Sequence, residues 1–268
     1  MTVTIMQPAF LPWSGYFDRV LAADVFILLD HVMPDLNSRS KYVCRNTIMS
    51  SNGPITLTVP LKKGARDLPI VDIMVADGWG KTLDNMIKTM RQSYAKSAWL
   101  PDFLRMWQDQ MGARLVDVGS LYFAASFERF VLDLFFSMLR WIHNDVTEKL
   151  PPVTRSSYLL DYEQRQTMKK TELLVLLCQM CKATRYISGP GGLDYVDSAL
   201  FEQAGIELLL HDYPGANPYP QLHTCAKSLP FDGTLSALDV IASVPRTKLL
   251  DIIRRPDSLK PWPHSKQN

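Results

Sequence analysis

Cysteine is scarce: Cys44, Cys178, Cys181 and Cys225 are the only four in 268 residues. So few thiols in so long a chain build no secreted-type disulfide framework, and reduced cysteines are expected. Charge of one sign is lacking as well. The 29 basic and 27 acidic residues leave a formal +2, too little to sustain a basic surface for nucleic acid or anionic lipid. The longest apolar stretch, LYFAASFERFVLDLFFSMLRWI, is broken by Glu128, Arg129 and Asp133. It therefore reads as a core helix and not as a membrane span. No charged n-region leads into an apolar h-region, so a cytoplasmic protein is expected. Internal repeats and low-complexity blocks are missing. So are the GxGxxG spacing and the Walker lysine of phosphate loops. Cys178 and Cys181 have no second CxxC or histidine pair to complete four zinc ligands, and no metal is expected. They sit late in the apolar segment ELLVLLCQMC and read as packing. What remains as partners is small molecules or proteins.

What is present is 47% hydrophobic residues, enough for a sizeable core in one or two domains. A short apolar run followed by turn residues recurs four times. VTIM meets Gln7-Pro8, and VFILLD (25–30) meets a polar loop with His31, Pro34, Asn37 and Arg39. RYIS (185–188) meets Gly189-Pro190-Gly191-Gly192, and IELLLH (206–211) meets Asp212-Tyr213-Pro214-Gly215. Continuous hydrophobicity suits strands buried on both faces, as in parallel sheets. Helical patterns at about 15–22, 171–183 and 195–203 lie between them, and the alternation predicts an open, mainly parallel α/β sheet. ITLTVPL and IVDIMVA, joined by a loop with Lys62, Lys63 and Arg66, read as an edge hairpin. From about 79 to 145 the apolar residues fall at helical spacing, which predicts an inserted helical layer. Two more helices are expected in 235–253, the second starting near Pro245. The reading is one domain over 1–255 with a loosely ordered tail over 256–268.

All four punctuated joins fall at strand carboxyl ends, where ligands bind in open α/β sheets. One shared site is therefore expected, built from 7–16, 30–46, 188–195 and 211–223. Its candidate binding residues are Gln7, Tyr16, Arg45, Asn46, Ser188, Gly189, Tyr195, Gln221 and His223. His31 is the candidate base, because an imidazole with a pKa of about 6.5 works near neutrality. Asp30 is its neighbour, although adjacent strand residues point to opposite faces, so sequence alone does not make Asp30 its orienting group. His211 ranks below His223. Cys44 precedes Arg45, a cation that favours thiolate, and would be the nucleophile of a thioester route with His31 as base. The glycines at 189–192 permit close backbone approach by a ligand, such as a sugar-nucleotide diphosphate or a phosphopantetheine arm. The Lys62-Lys63-Arg66 loop could dock an acidic carrier protein.

The segments IMQPAFLPWSGYFDRVLAADVFILLDHV, CRNTI, LTVPLKKG, TRSSYL, YISGPGGLDYVDSALFEQAGIELLLHDY and YPQL together resemble the successive motifs of the WbqC-like family. This is a bacterial group of O-antigen, glycan and secondary-metabolite gene clusters. The family pattern falls on Gln7-Pro8, Pro12, Gly15-Tyr16, Asp24, Asp30, Arg45-Asn46, Ser156-Ser157, 188–192, Tyr195 and Gln221. Tyr42 and Cys44 depart from it, and Asp30-His31 stands where paired carboxylates are frequent. The resemblance implies amino-sugar modification: an acyl or aminoacyl transferase acting on an amine, with no intrinsic cofactor. Its substrates would be a phosphopantetheine thioester or a nucleotide sugar, and an acyl or peptidyl carrier protein its partner. The opening also resembles, more distantly, nucleotidylyltransferases. In those, a strand leads into His-x-Gly-His, where this chain has Trp13-Ser14-Gly15-Tyr16. Without the two histidines, nucleotidyl transfer stands as an alternative to acyl transfer, beside a thioester-cleaving or cyclising enzyme using Cys44 and a non-catalytic binding module.

Overall fold

In a computed structural model, the described residues are all but 35–42, 119–125, 144–148, 169, 224–230 and 264–268; for 112–118 only the helix is described. Asn37, Arg39, Tyr42 and Cys225 thus lie outside the described residues.

Strand β1 (Thr2–Met6) is buried along its whole length, which explains why it carries no alternating polar face. A long join leads to α1 (Ser14–Leu21) and then β2 (Val25–Leu28). The join is held by buried hydrogen bonds. Leu11 takes a left-handed φ of 46°, unusual for a side chain with a Cβ. The Asn46 amide donates to its carbonyl at 2.6 Å. Phe10 N–H donates to the Val43 carbonyl, and Ala237 N–H to that of Pro12.

An antiparallel hairpin follows, β3 (Arg45–Ser50) with β4 (Gly53–Thr58), turning at Gly53 with φ 113°. The hairpin partner of ITLTVPL is therefore 45–50, for which the sequence suggested no strand. IVDIMVA instead forms a 3₁₀ turn (Ile70–Asp72) and two isolated bridges, Leu61 to Val75 and Met74 to Ser126. Ile70 and Val71 donate backbone N–H bonds to Val32 and Asp30, so this segment is drawn onto the β2 loop and away from β4.

The expected helical layer comprises α2 (Trp79–Ser93), α3 (Leu100–Val118) and α4 (Phe127–Ile142). Strand β5 (Val153–Arg155) returns to the sheet and runs directly into α5 (Ser156–Leu159). Then come α6 (Tyr162–Thr167), α7 (Lys170–Met180), β6 (Arg185–Ser188), α8 (Ser198–Gln203) and β7 (Glu207–His211). The chain closes with α9 (Ala237–Ser243), α10 (Leu249–Ile253) and β8 (Leu259–Pro261). Residues 259–261 were expected in a loose tail. They pair antiparallel with β7, and Ser258 Oγ donates to the buried Asp18 carboxylate at 2.7 Å. A polar anchor fixes the segment where its apolar content would not.

The sheet order is β5-β2-β1-β6-β7-β8, parallel except for β8. The order of strands reverses between β1 and β6, and such a switch point opens a crevice at the strand carboxyl ends. One face packs Phe17 and Val20 of α1 and Phe135 of α4 against Phe26 and Leu28. Phe17 and Phe135 stack 5.6 Å apart. The other face packs Val3, Ile5, Ile27 and Tyr186 against Leu173, Leu177 and Cys178 of α7 and Phe201 of α8. Each fully buried phenylalanine contributes roughly 2–3 kcal/mol by leaving water.

Candidate functional site

Register determines which loops meet. Leu28 of β2 lies opposite Arg155 of β5, so Asp30-His31 and Ser156-Ser157 leave the sheet side by side. Asp30 is fully buried, and a buried carboxylate needs donors. It receives Ser156 Oγ–H at 2.8 Å, Ser157 N–H at 2.8 Å and Ser157 Oγ–H at 2.5 Å. Ser156 Oγ in turn accepts Asp30 N–H at 3.1 Å and lies 2.7 Å from His31 Nδ1.

This pattern selects one tautomer. The hydroxyl of Ser156 has one hydrogen, which it gives to Asp30. Nδ1 of His31 is therefore the donor, and Nε2 carries the lone pair. Burial holds the His31 pKa below its ordinary value, against the raising pull of Asp30 and helped by Arg165. At neutral pH the ring is an uncharged base with Nε2 ready to take a proton. Asp30 does orient His31, but through Ser156.

Glu128, in the first turn of α4, completes the surroundings. Its Oε2 is 3.3 Å from Arg155 Nη1, while its buried Oε1 has no hydrogen-bond partner. Burial outweighs Arg155, Asp30 adds repulsion, and the carboxyl is raised to about 7. An acidic residue inside the apolar run FERFVLDLFF was the sequence signal for it. Ser156 lies in the family segment TRSSYL, but nothing in the sequence tied it to His31, since the three-residue β5 is too short to show a strand pattern.

The other expected residues are distributed more widely than one site. Gln7 Nε2 donates to the Met33 carbonyl at 3.3 Å, beside the His31 loop. Tyr16 is a core residue: it packs edge-on against Phe26 and Phe135, and its hydroxyl donates to the Gln7 carbonyl at 3.0 Å. Burial pushes its pKa strongly up. Asn46 is committed to Leu11 and to Thr47 N–H. Arg45 is partly exposed at the start of β3. Cys44 packs on the core, and burial raises its thiol pKa more than Arg45 lowers it. No hydrogen bond joins it to His31, so the thiolate–imidazole pair of the thioester route is not assembled. Ser188, Gly189 and Tyr195 gather at the end of β6, on the other side of β1.

Gln221 and His223 belong to a separate cluster. Gln221 Nε2 donates to Asp239 Oδ2 at 2.9 Å, and the Tyr94 and Tyr219 hydroxyls donate to the same carboxylate at 2.7 and 2.6 Å. His223 Nε2 contacts the Ser93 carbonyl. His211 is structural too: its Nε2 lies 2.8 Å from buried Asp18, and burial lowers its pKa. Where the nucleotidylyltransferase signature would stand, Trp13 packs edge-on against Tyr213 at 5.3 Å. A Cβ on Gly15 would lie 2.5 Å from the Trp13 ring.

Three grooves among the described residues, of about 590, 530 and 550 Å³, are lined by Arg91, Tyr94, Leu100 and Arg105, by Asp24, His143, Lys149 and Arg254, and by Ser198, Glu202 and Trp262. None of the three includes His31. We give weight to the Asp30–Ser156–His31 array, because a neutral base and its orienting partners converge there at a strand carboxyl end, whereas the Nε2 of His211, at the end of β7, is taken by Asp18. Among the described residues, no group of His, Cys, Asp and Glu is placed to hold a metal, and no helix is long and apolar enough to cross a membrane.

No solved structure matches the chain. A Mycobacterium tuberculosis protein described as "Uncharacterized protein Rv1507c" is 28% identical over 244 residues, 90% of this chain and 93% of that one. The model of the WbqC-like protein family matches residues 7–250, which carry β2, β5, β6 and β7 of the sheet and the helical layer, and this chain belongs to that family.

Proposed function

We propose that the protein transfers an acyl or aminoacyl group from a thioester to an amine in the cytoplasm, with His31 as general base. The observation that carries this is the uncharged imidazole of His31, oriented from behind by Ser156 and Asp30, with no partner on Nε2 among the described residues. The amine nitrogen attacks the thioester carbonyl carbon, and Nε2 accepts the proton that nitrogen must lose as the C–N bond forms. Collapse breaks the C–S bond, and the departing thiolate takes the proton back from Nε2. No thiolate on the protein is required, in keeping with the raised pKa of Cys44. The donor proposed is a phosphopantetheine thioester on a carrier protein, and the acceptor a nucleotide-linked amino sugar. The strand order, that of nucleotide-binding sheets, supports the latter.

The test is mass spectrometry of an amino-sugar panel after incubation with the protein and aminoacyl-loaded carrier. A mass gain that disappears in His31→Ala supports the reading. Absence of any gain with every donor shown to be loaded overturns it, and affinity without turnover would point to a binding module instead.

A further inference from the structure

The reversal of strand order between β1 and β6 places one side chain that the transfer chemistry does not use. Arg19, in the last turn of α1, points back along the helix, and its Nε lies 2.9 Å from Met6 Sδ at the end of β1. Its guanidinium also abuts Gly189 at the end of β6, where a Cβ would collide with Nη1. The glycine is what lets the cation stand there.

Among the described residues no carboxylate neutralises it. Asp18, next in sequence, faces the other way, taken by His211, Ser258, the Arg254 side chain and Arg255 N–H. Burial holds the Arg19 pKa below its ordinary value, and the phenols of Tyr186, Tyr16 and Tyr195 lie near enough to pull it back up. Among the described residues its two terminal nitrogens have no hydrogen-bond partner. Withdrawing a guanidinium from water without an anion is costly. Yet Arg19 remains only partly buried, so a ligand can reach it.

We propose that Arg19 is the anion-binding residue of the switch-point crevice and takes the phosphate of a phosphate-ester substrate. The guanidinium presents a fork to two oxygens. Tyr195 is half exposed beside it. Ser188 Oγ bonds the Gly189 carbonyl at 3.3 Å, shares a hydrogen bond with the Tyr186 hydroxyl, and sits where a Cβ on Gly192 would be. Donors arriving from separate directions suit a tetrahedral phosphate better than a planar carboxylate. Arg19 lies inside the first family segment, GYFDRV, but was not among the candidate site residues, because its signal is the absence of a partner.

The proposal shares an edge of the sheet with the transfer reading but not its chemistry, and binding is read without turnover. Calorimetric titration of the full chain uses inorganic pyrophosphate, UDP, coenzyme A and acetate. Arg19→Gln is expected to weaken pyrophosphate by about tenfold or more, the loss of a charge-assisted bond. His31→Ala and the remote Arg105→Gln should bind as the unaltered protein does. UDP binding more tightly than coenzyme A would assign the phosphate to a nucleotide, and the reverse order to a carrier arm; either supports the site. No binding of any phosphate, equal affinity in Arg19→Gln, or acetate matching pyrophosphate would overturn it. Should Arg19→Gln not fold, phenylglyoxal labelling of the unaltered protein decides. Pyrophosphate should shield Arg19 in the peptide map, and equal labelling with and without it refutes the proposal. Loss of turnover with retained phosphate binding would fault only the transfer reading.

Discussion

Two buried aspartates receive nearly the same treatment and reach opposite ends. Asp30 takes three donors from Ser156 and Ser157, and Asp239 takes three from Tyr94, Tyr219 and Gln221. The Asp239 cluster closes on itself: Gln221 also bonds the Asp232 carbonyl and N–H, and Tyr94 is wedged against β3. It ties α2, α9 and the loop before α9 together. The Asp30 array runs on through Ser156 to an imidazole at the carboxyl edge of the sheet whose second nitrogen has no partner among the described residues. Satisfied buried polar groups specify structure; a chain of them that ends on an unused lone pair can also move a proton.

The sharpest break in this comparison is His31→Ala. Turnover is expected to fall about 10²- to 10⁴-fold, as for loss of a general base, while the thermal transition stays near that of the parent. Turnover that survives intact would remove His31 from the chemistry. Asp239→Ala should do the reverse. It strands two tyrosine hydroxyls and an amide, and is expected to cost about 3 kcal/mol in urea unfolding, with turnover per folded molecule preserved. A pure activity loss there would make the second cluster a site.

Glu128 sharpens the comparison through pH. Its carboxyl is raised from 4.5 to about 7, so the folded state binds the proton more tightly than the unfolded one. The stability this lends is complete below about pH 4.5 and is lost as pH rises through about 7. Glu128→Gln should therefore be more stable than the parent at pH 8, by on the order of 3 kcal/mol, with the gap shrinking at pH 5. Parallel denaturation curves at both pH values would rule out the raised carboxyl. His31 has the opposite sign: its lowered pKa gives stability present above about 6.5 and lost on acidification. In kcat/KM the acid limb should accordingly fall below pH 6.5. The smallest effect expected is that of Ser156→Ala, roughly tenfold in turnover. It leaves the imidazole in place but cuts its connection to Asp30, and turnover equal to the parent's would show that the relay does not orient the base.

Much of the sheet was legible because burial on both faces writes itself into sequence. RYIS is β6 residue for residue, and VFILLD contains β2. β3 and β5 were not. One is a hairpin arm of mixed polarity and the other has three residues stabilised by its neighbours. The site divides the same way. His31 stood out as a titratable residue after a strand, whereas its partner Ser156 is 125 residues away. Gln221 and His223 were expected to share one site with His31 because strand-end loops all read alike.

The sequence by itself determined the parallel α/β class, the helical layer and the family, since these depend on local periodicity and ordered motifs. Only the tertiary structure decided which strand lies beside which. That neighbour relation made Ser156 the orienting group of His31, turned Tyr16 and Asn46 into scaffold, and left Arg19 without a counter-ion. Hydrogen bonds and desolvation act over a few ångströms in space, and spacing along the chain does not encode that distance.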